Sequence, residues 1–293
     1  DINLAIDYYI RSLQISKELD DKLGMSYSQH NLGLMYAIKN EYDSALDYHL
    51  HSLKNAKEIG DKSQIVEQLS TIAAVHDKKG EFDQVIDYLI EKVKIQEELG
   101  NNNGLVKSYY IIARTYKNNS DNDNALVYYS RSLDIAEKIG DESMVGSNLL
   151  SSGWIYYKMG EYEKALDYYH RQIKIHEELE EMRHIYNAFT NIGLVYFQQE
   201  DYSKAVEYFD KSSTTQMALN STITLETASH LFLSKKILGK EYNNEEIYPL
   251  IKEGEEIEYY INYALFKLLE NTSYLETAYN QIQEKADAME DEL

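Results

Sequence analysis

Residues 160–181 read GEYEKALDYYHRQIKIHEELEE, and residues 40–61 read NEYDSALDYHLHSLKNAKEIGD. Both have a turn residue in front and apolar residues at helical spacing behind it. Aligning the whole chain on this pattern puts Ala5, Ala45, Val85, Ala125, Ala165 and Ala205 in one register, 40 residues apart with no insertion. The aromatic three places earlier recurs as Tyr42, Phe82, Tyr162 and Tyr202, with Asn122 as the exception and Tyr242 continuing the series. A second segment repeats in step: NLGLMY at 31–36, TIAAVH at 71–76, IIARTY at 111–116, SSGWIY at 151–156 and NIGLVY at 191–196. Its small residue is Gly33, Ala73, Ala113, Gly153 or Gly193, and Tyr36, Tyr116, Tyr156 and Tyr196 follow three places on, with His76 once instead.

Each unit therefore reads as two helices, the first copy having helix A over 22–38 and helix B over 43–59. Gly80 and Gly160 close A helices and Gly60, Gly100 and Gly140 close B helices, where a left-handed cap disfavours a Cβ. Asp61 and Asp141 are placed to cap the next A helix. A Gly or Ala on helix A, met by an alanine on helix B, lets the two helices cross closely, with the aromatics filling the gaps between hairpins. A period of this length is the signature of a stacked array, in which no single hairpin buries its own apolar face.

In these motifs the chain resembles the tetratricopeptide repeat family, with LGLMY then SALDYH, and IGLVY then KAVEYF, standing for the family's helix-A and helix-B patterns. The 40-residue unit is similar to the long-helix subtype of G-protein-regulator scaffolds, kinesin light chains and bacterial signalling arrays. The resemblance implies an all-α, right-handed superhelical solenoid of antiparallel helix pairs, with the A helices on its concave wall. The expected organisation is one array over 1–293. It comprises a lone helix B over 1–20, full repeats over 22–60, 62–100, 102–140, 142–180 and 182–220, a degenerate repeat over 222–254, and a terminal capping pair over 255–293. In the degenerate repeat Leu233 and Glu245 replace small residues, and Pro249 shortens helix B or confines it to a start near 248. The start without Met suggests a piece of a longer protein.

The net charge is −21, from 50 acidic and 29 basic residues. Such a surface repels nucleic-acid phosphates and anionic lipids, so neither nucleic acid nor membrane insertion is expected. The absence of cysteine rules out disulfides and thiolate zinc sites and fits a cytoplasmic setting. No nucleotide loop or HExxH motif occurs. The eight histidines, His184 among them, are scattered. DNDNA at 121–125 lacks the glycine and distal glutamate of a calcium loop and sits at an A–B turn, which reads as capping. No catalytic residue, metal or cofactor is expected.

Function is expected on helix A, where copies disagree. The outward stripe falls six, three and two places before the small residue, then one and four after it. It offers Tyr27, His30 and Asn31 in the first copy, Lys107, Tyr110, Arg114 and Lys117 in the third, Trp154 and Tyr157 in the fourth, and Asn187, Asn191 and Phe197 in the fifth. Three cations beside the only tryptophan suggest a peptide hot spot. By resemblance, Asn31 and Asn191 fall where the family uses asparagine to hold a ligand backbone, although Thr71, Ile111, Ser151 and Leu231 break the ladder. The expected partner is a protein or peptide segment bound by a scaffold or sensor. The alternative is a regulatory array within a larger signalling enzyme, a kinase, cyclase or ATPase. Self-association through the terminal helices is the other partner the sequence allows.

Overall fold

The structure is a computed structural model that describes residues 1–178, 182–251 and 257–291. Among the described residues there is helix and no strand. The lone helix α1 (Ile2–Glu18) is followed by five pairs: α2 and α3 (Lys22–Ile38, Tyr42–Ile59), α4 and α5 (Lys62–Lys79, Phe82–Glu98), α6 and α7 (Asn102–Asn118, Asn122–Ile139), α8 and α9 (Glu142–Lys158, Tyr162–Glu178), and α10 and α11 (Met182–Gln198, Tyr202–Ala218). Each helix A and each helix B starts 40 residues after the previous one. The chain divides into two compact units, residues 1–148 and 149–293. The joint at 179–181 and the His184 side chain lie outside the described residues.

The turns explain the regularity. The residue after a helix takes a left-handed conformation at Asp20, Asn40, Gly60, Gly80, Gly100, Ser120, Gly140, Gly160, Glu200 and Asn220. These positions fall at multiples of twenty, with 180 outside the described residues, so the described A–B and B–A joints share one geometry. Gly60, at φ +80°, adopts it without the Cβ penalty that the non-glycine positions carry. Capping starts the next helix: Asp21, Asp61, Asn101, Asp141 and Asp201 each accept a backbone N–H three residues on, at 2.9–3.1 Å. Asp121 does the same for α7, so DNDNA serves as a cap.

Inside each pair the helix-A small residue faces a helix-B side chain sixteen places later. A Cβ built on Gly33, Gly153 or Gly193 would come within 2.6 Å of the rings of His49, Tyr169 and Phe209. Those rings are fully buried. Where helix A carries Ala73 or Ala113, the facing residues are Leu89 and Tyr129, also buried. The helix-B alanines Ala45, Ala125, Ala165 and Ala205 are inaccessible, which lets the neighbouring backbone approach.

One detail differs from expectation. The recurring tyrosines stack within a pair rather than filling gaps between pairs: Tyr36 on Tyr48, His76 on Tyr88, Tyr116 on Tyr128, Tyr156 on Tyr168 and Tyr196 on Tyr208, with centroids 5.4–5.6 Å apart. His76 substitutes because a planar ring is all the position requires.

The second unit ends irregularly. Helix α12 (Leu225–Ile237) buries every residue from Thr227 to Ser234, Leu233 included. Short 3₁₀ turns at Asn244–Glu246 and Tyr248–Leu250 stand where a helix B was expected, with Pro249 in the second turn. Helices α13 (Tyr259–Leu269) and α14 (Thr272–Asp291) close the unit.

Two measurements test this account. Gly193→Ala adds about 1 kcal/mol of helix propensity but meets a ring without room to retreat, where overpacking costs about 1–3 kcal/mol. Urea denaturation should show a net loss, larger for Gly193→Val; a stabilised Gly193→Ala would mean that the ring does not set the helix spacing. The second concerns acid. Burial pushes His49 down to about 4, with the nearby charge of His30 adding to the effect, and burial alone pushes His230 down to about 4. Below their ordinary value of 6.5 the unfolded chain takes up protons that the folded chain refuses. Their stabilisation is therefore complete above that value and declines as pH falls toward 4, by on the order of 3 kcal/mol per histidine. His49→Leu, which borrows the Leu89 solution, should show a smaller drop between pH 7 and pH 4.5 than the parent; an equal drop would refute the assignment.

Candidate functional site

The helix-A stripe is built by the packing just described. With the small residue turned to helix B, positions six, three and two before it and one and four after it lie toward the other side of helix A, the position three before still touching the pair's helix B at Tyr110 and Thr190. The two units use this face differently.

In the first unit the stripe is accessible. Tyr27 is 52 % exposed, and Lys107 and Arg114 are exposed on α6 beside half-buried Tyr110 and Lys117. Tyr110 stands edge-on to Tyr129, 5.4 Å between centroids, which fixes its ring on the helix. Asn31 donates to its own helix, to the Tyr27 carbonyl at 2.8 Å, so that amide is engaged before any ligand arrives. His30 meets Gln68 through Nδ1 and lies 3.6 Å from Glu67 through Nε2. No ion pair among the described residues engages Lys107, Arg114 or Lys117, against the simplest expectation that acidic neighbours neutralise them. Lys117 is held below the usual lysine range by burial, then by the Arg114 charge.

In the second unit α13 covers the same face. Tyr260 packs near Trp154 of α8 and His230 of α12, with centroids 6.2 Å away from each. Its hydroxyl donates to Glu226 Oε1 at 2.7 Å. Burial raises the Glu226 carboxyl above the ordinary range, while that hydrogen bond pulls the other way. Lys158 stands over four rings: Trp154 at 4.7 Å, Tyr260 at 5.0 Å, Tyr259 at 5.4 Å and Tyr157 at 5.9 Å. Cation–π contacts of this kind contribute about 0.5–1 kcal/mol each at partly exposed sites. Phe197 is edge-on to His230 at 5.2 Å and to Tyr202 at 5.4 Å. Trp154, Tyr157 and Phe197 thus belong to the packed face under α13, while Asn187 is exposed and Asn191 half-buried on α10. Burial pushes the Tyr157 phenol up to about 12.

Beside α13 a cleft of about 490 Å³ remains open, lined by Tyr157, Tyr162, Gln198 and Tyr259 on one side and by Leu275, Tyr279 and Ile282 of α14 on the other. Lys158, the Gln198 amide and the tyrosine hydroxyls are its polar groups. Lys158, Tyr259 and Tyr260 were not identified from the sequence. They lie outside the repeat registers, and the apolar residues Tyr260, Ile261, Ala264, Leu265 and Leu268, at helical spacing, are the signal the sequence carries there. Among the described residues no group of three His, Asp or Glu is placed to hold a metal, and no helix is long and apolar enough to cross a membrane.

Trp154 is the only tryptophan, so its emission reports the docking of α13. Tyr260→Ala should shift the emission to longer wavelength while far-ultraviolet circular dichroism stays helical; an unchanged spectrum would mean that α13 does not shield the indole.

Comparison with known proteins follows the geometry. A tetratricopeptide repeat model matches residues 1–58 and 147–217, and a second tetratricopeptide repeat model matches residues 106–139. No curated protein matches the sequence. Among solved structures, the apo form of RapI is similar over 99 % of this chain and 84 % of its own, with a TM-score of 0.72 at 16 % identity. A Rap protein complexed with Competence and Sporulation Factor is similar over 99 % of this chain and 87 % of its own, with a TM-score of 0.58 at 16 % identity. A signal-transduction ATPase with a tetratricopeptide repeat sensor, from Pyrococcus horikoshii, matches 99 % of this chain with 46 % of its own, with a TM-score of 0.62 at 19 % identity. At these identities the likeness is one of fold. With repeat models matched in both units and helix pairs recurring at a fixed interval, the chain belongs to the tetratricopeptide repeat family.

Proposed function

We propose that the chain is a non-catalytic interaction module that takes an extended or helical protein segment on its helix-A face. The observation that carries this reading is α13. In the second unit the helix-A stripe receives an amphipathic helix, seating Tyr260 between Trp154 and His230 and burying Leu265 and Leu268. The same register in the first unit, from Tyr27 to Lys117, offers aromatic, amide and cationic groups to solvent. Aromatic and arginine side chains are the residue types that dominate binding energy at protein interfaces. The Rap structure complexed with Competence and Sporulation Factor, similar in fold, is consistent with this use of the architecture.

A second reading, a regulatory array within a larger signalling protein, draws support from the Pyrococcus horikoshii protein, in which a similar array is a sensor. The complete reading frame decides it: fusion to a kinase, cyclase or ATPase domain is the expected result, and a free-standing frame is the contrary one.

The principal reading is tested on a randomised peptide array. Arg114→Glu and Tyr27→Ala should each weaken the selected peptides about tenfold or more with the thermal midpoint unchanged. If both variants bind every selected peptide as the parent does, the helix-A face of the first unit is not the site.

A further inference from the structure

Lys92 occupies a helix-B position where the neighbouring pairs carry a small hydroxyl. Ser52, Ser132 and Ser212, in the same register, each donate to a carbonyl of their own helix A: Ser26 at 2.8 Å, Val106 at 2.9 Å and Tyr186 at 3.0 Å. Those serines end their reach there. A lysine in the same place carries three more methylenes and an ammonium, so its charge reaches beyond that carbonyl. Lys92 is only 8 % exposed, and no hydrogen bond or ion pair among the described residues engages it. Burial, and after it the charge of Lys107, holds Lys92 below the usual lysine range.

Several lysines of the first unit meet carboxylates, among them Lys22 with Glu58, Lys57 with Glu91, Lys62 with Glu98, and Lys79 with Asp43. Around α6, Lys92, Lys107, Arg114 and Lys117 gather four cations with no such partner among the described residues, in a protein that carries 50 acidic residues. The carboxylate in the Lys107 register one pair earlier, Glu67, faces His30 at 3.6 Å. A cation largely withdrawn from water and without an ion pair is costly, and like charges gathered nearby add to the cost. A ligand that supplies negative charge removes both penalties.

We infer that the helix-A face around α6 binds an acidic peptide segment, with one carboxylate seated on Lys92 at the floor of the groove and neighbouring carboxylates on Lys107, Arg114 and Lys117. This rests on the reading of the first unit as a peptide site and adds the ligand's charge and its anchor. The ion-paired floor would contribute specificity, because an uncharged segment leaves Lys92 unpaired.

The test uses the full chain and two fluorescein-labelled decapeptides, one alternating glutamate with alanine and one alternating glutamine with alanine, read by fluorescence anisotropy. The glutamate peptide should bind at least about tenfold tighter than its glutamine twin, with an affinity that falls as salt rises. Lys92→Met should abolish that preference and, without ligand, raise the thermal midpoint by removing an unpaired buried charge. The inference is overturned if the glutamate peptide does not bind, if Lys92→Met leaves the preference intact, or if the midpoint falls, which would reveal an internal partner. It also falls if inorganic phosphate binds while the glutamate peptide does not, because the site would then serve phosphate. Array-selected peptides that depend on Tyr27 and Arg114 but ignore Lys92→Met would leave the peptide site standing and remove only its acidic character. Loss of all stripe dependence would remove both.

Discussion

The helix pairs are spaced by one contact, a helix-B side chain lying directly on helix-A backbone. His49 on Gly33, Tyr169 on Gly153 and Phe209 on Gly193 leave no space for a Cβ between them. Close-packed interiors transmit such a constraint, because neither partner can shift without opening a void or a clash. The rest follows from it. With the small residue turned inward, the tyrosine three places on is carried to the helix-B ring it stacks upon, and the stripe is left to the other side of helix A. Left-handed joints among the described residues then repeat the geometry. The architecture and this second face are two consequences of one packing decision.

That face is adaptable because it stands apart from the glycine–ring contact that sets the spacing of the pair. Its residues differ from copy to copy: aromatic in α2, cationic in α6, aromatic again in α8. In the second unit α13 settles on it through a buried hydroxyl–carboxylate hydrogen bond and a lysine among four rings. The same combination of apolar area, ring faces and a few oriented polar groups serves interfaces between proteins. An internal helix therefore shows which chemistry this face accepts.

Most of the architecture was legible in the sequence. The alignment of Ala45, Ala125, Ala165 and Ala205 with Gly33, Gly153 and Gly193 gave the period, the pairing and nearly every helix boundary, since turn residues and small residues are local signals. The stacking partner of each tyrosine was not legible, because a period shows that rings recur without showing which ones meet. The region after residue 220 was harder for a related reason. Pro249 announced a broken helix, but the placement of α13 depends on contacts between segments far apart in the chain. Of the candidate site residues, Trp154 and Phe197 were found by register yet lie beneath α13, an arrangement that no local pattern encodes. Lys92 lies on helix B, outside the variable helix-A stripe, and its signal is a lysine in the buried register of Ser52, Ser132 and Ser212.

The most direct measurement of the central claim is photo-crosslinking of a randomised peptide library to the full chain. A benzophenone amino acid would be placed at Tyr27 or Tyr110 on the helix-A face, and at exposed Val127 on helix α7 as control. The account expects crosslinked peptides of common sequence from the two helix-A positions and only scattered adducts from Val127. Equal yields and equally random sequences from all three positions would contradict it.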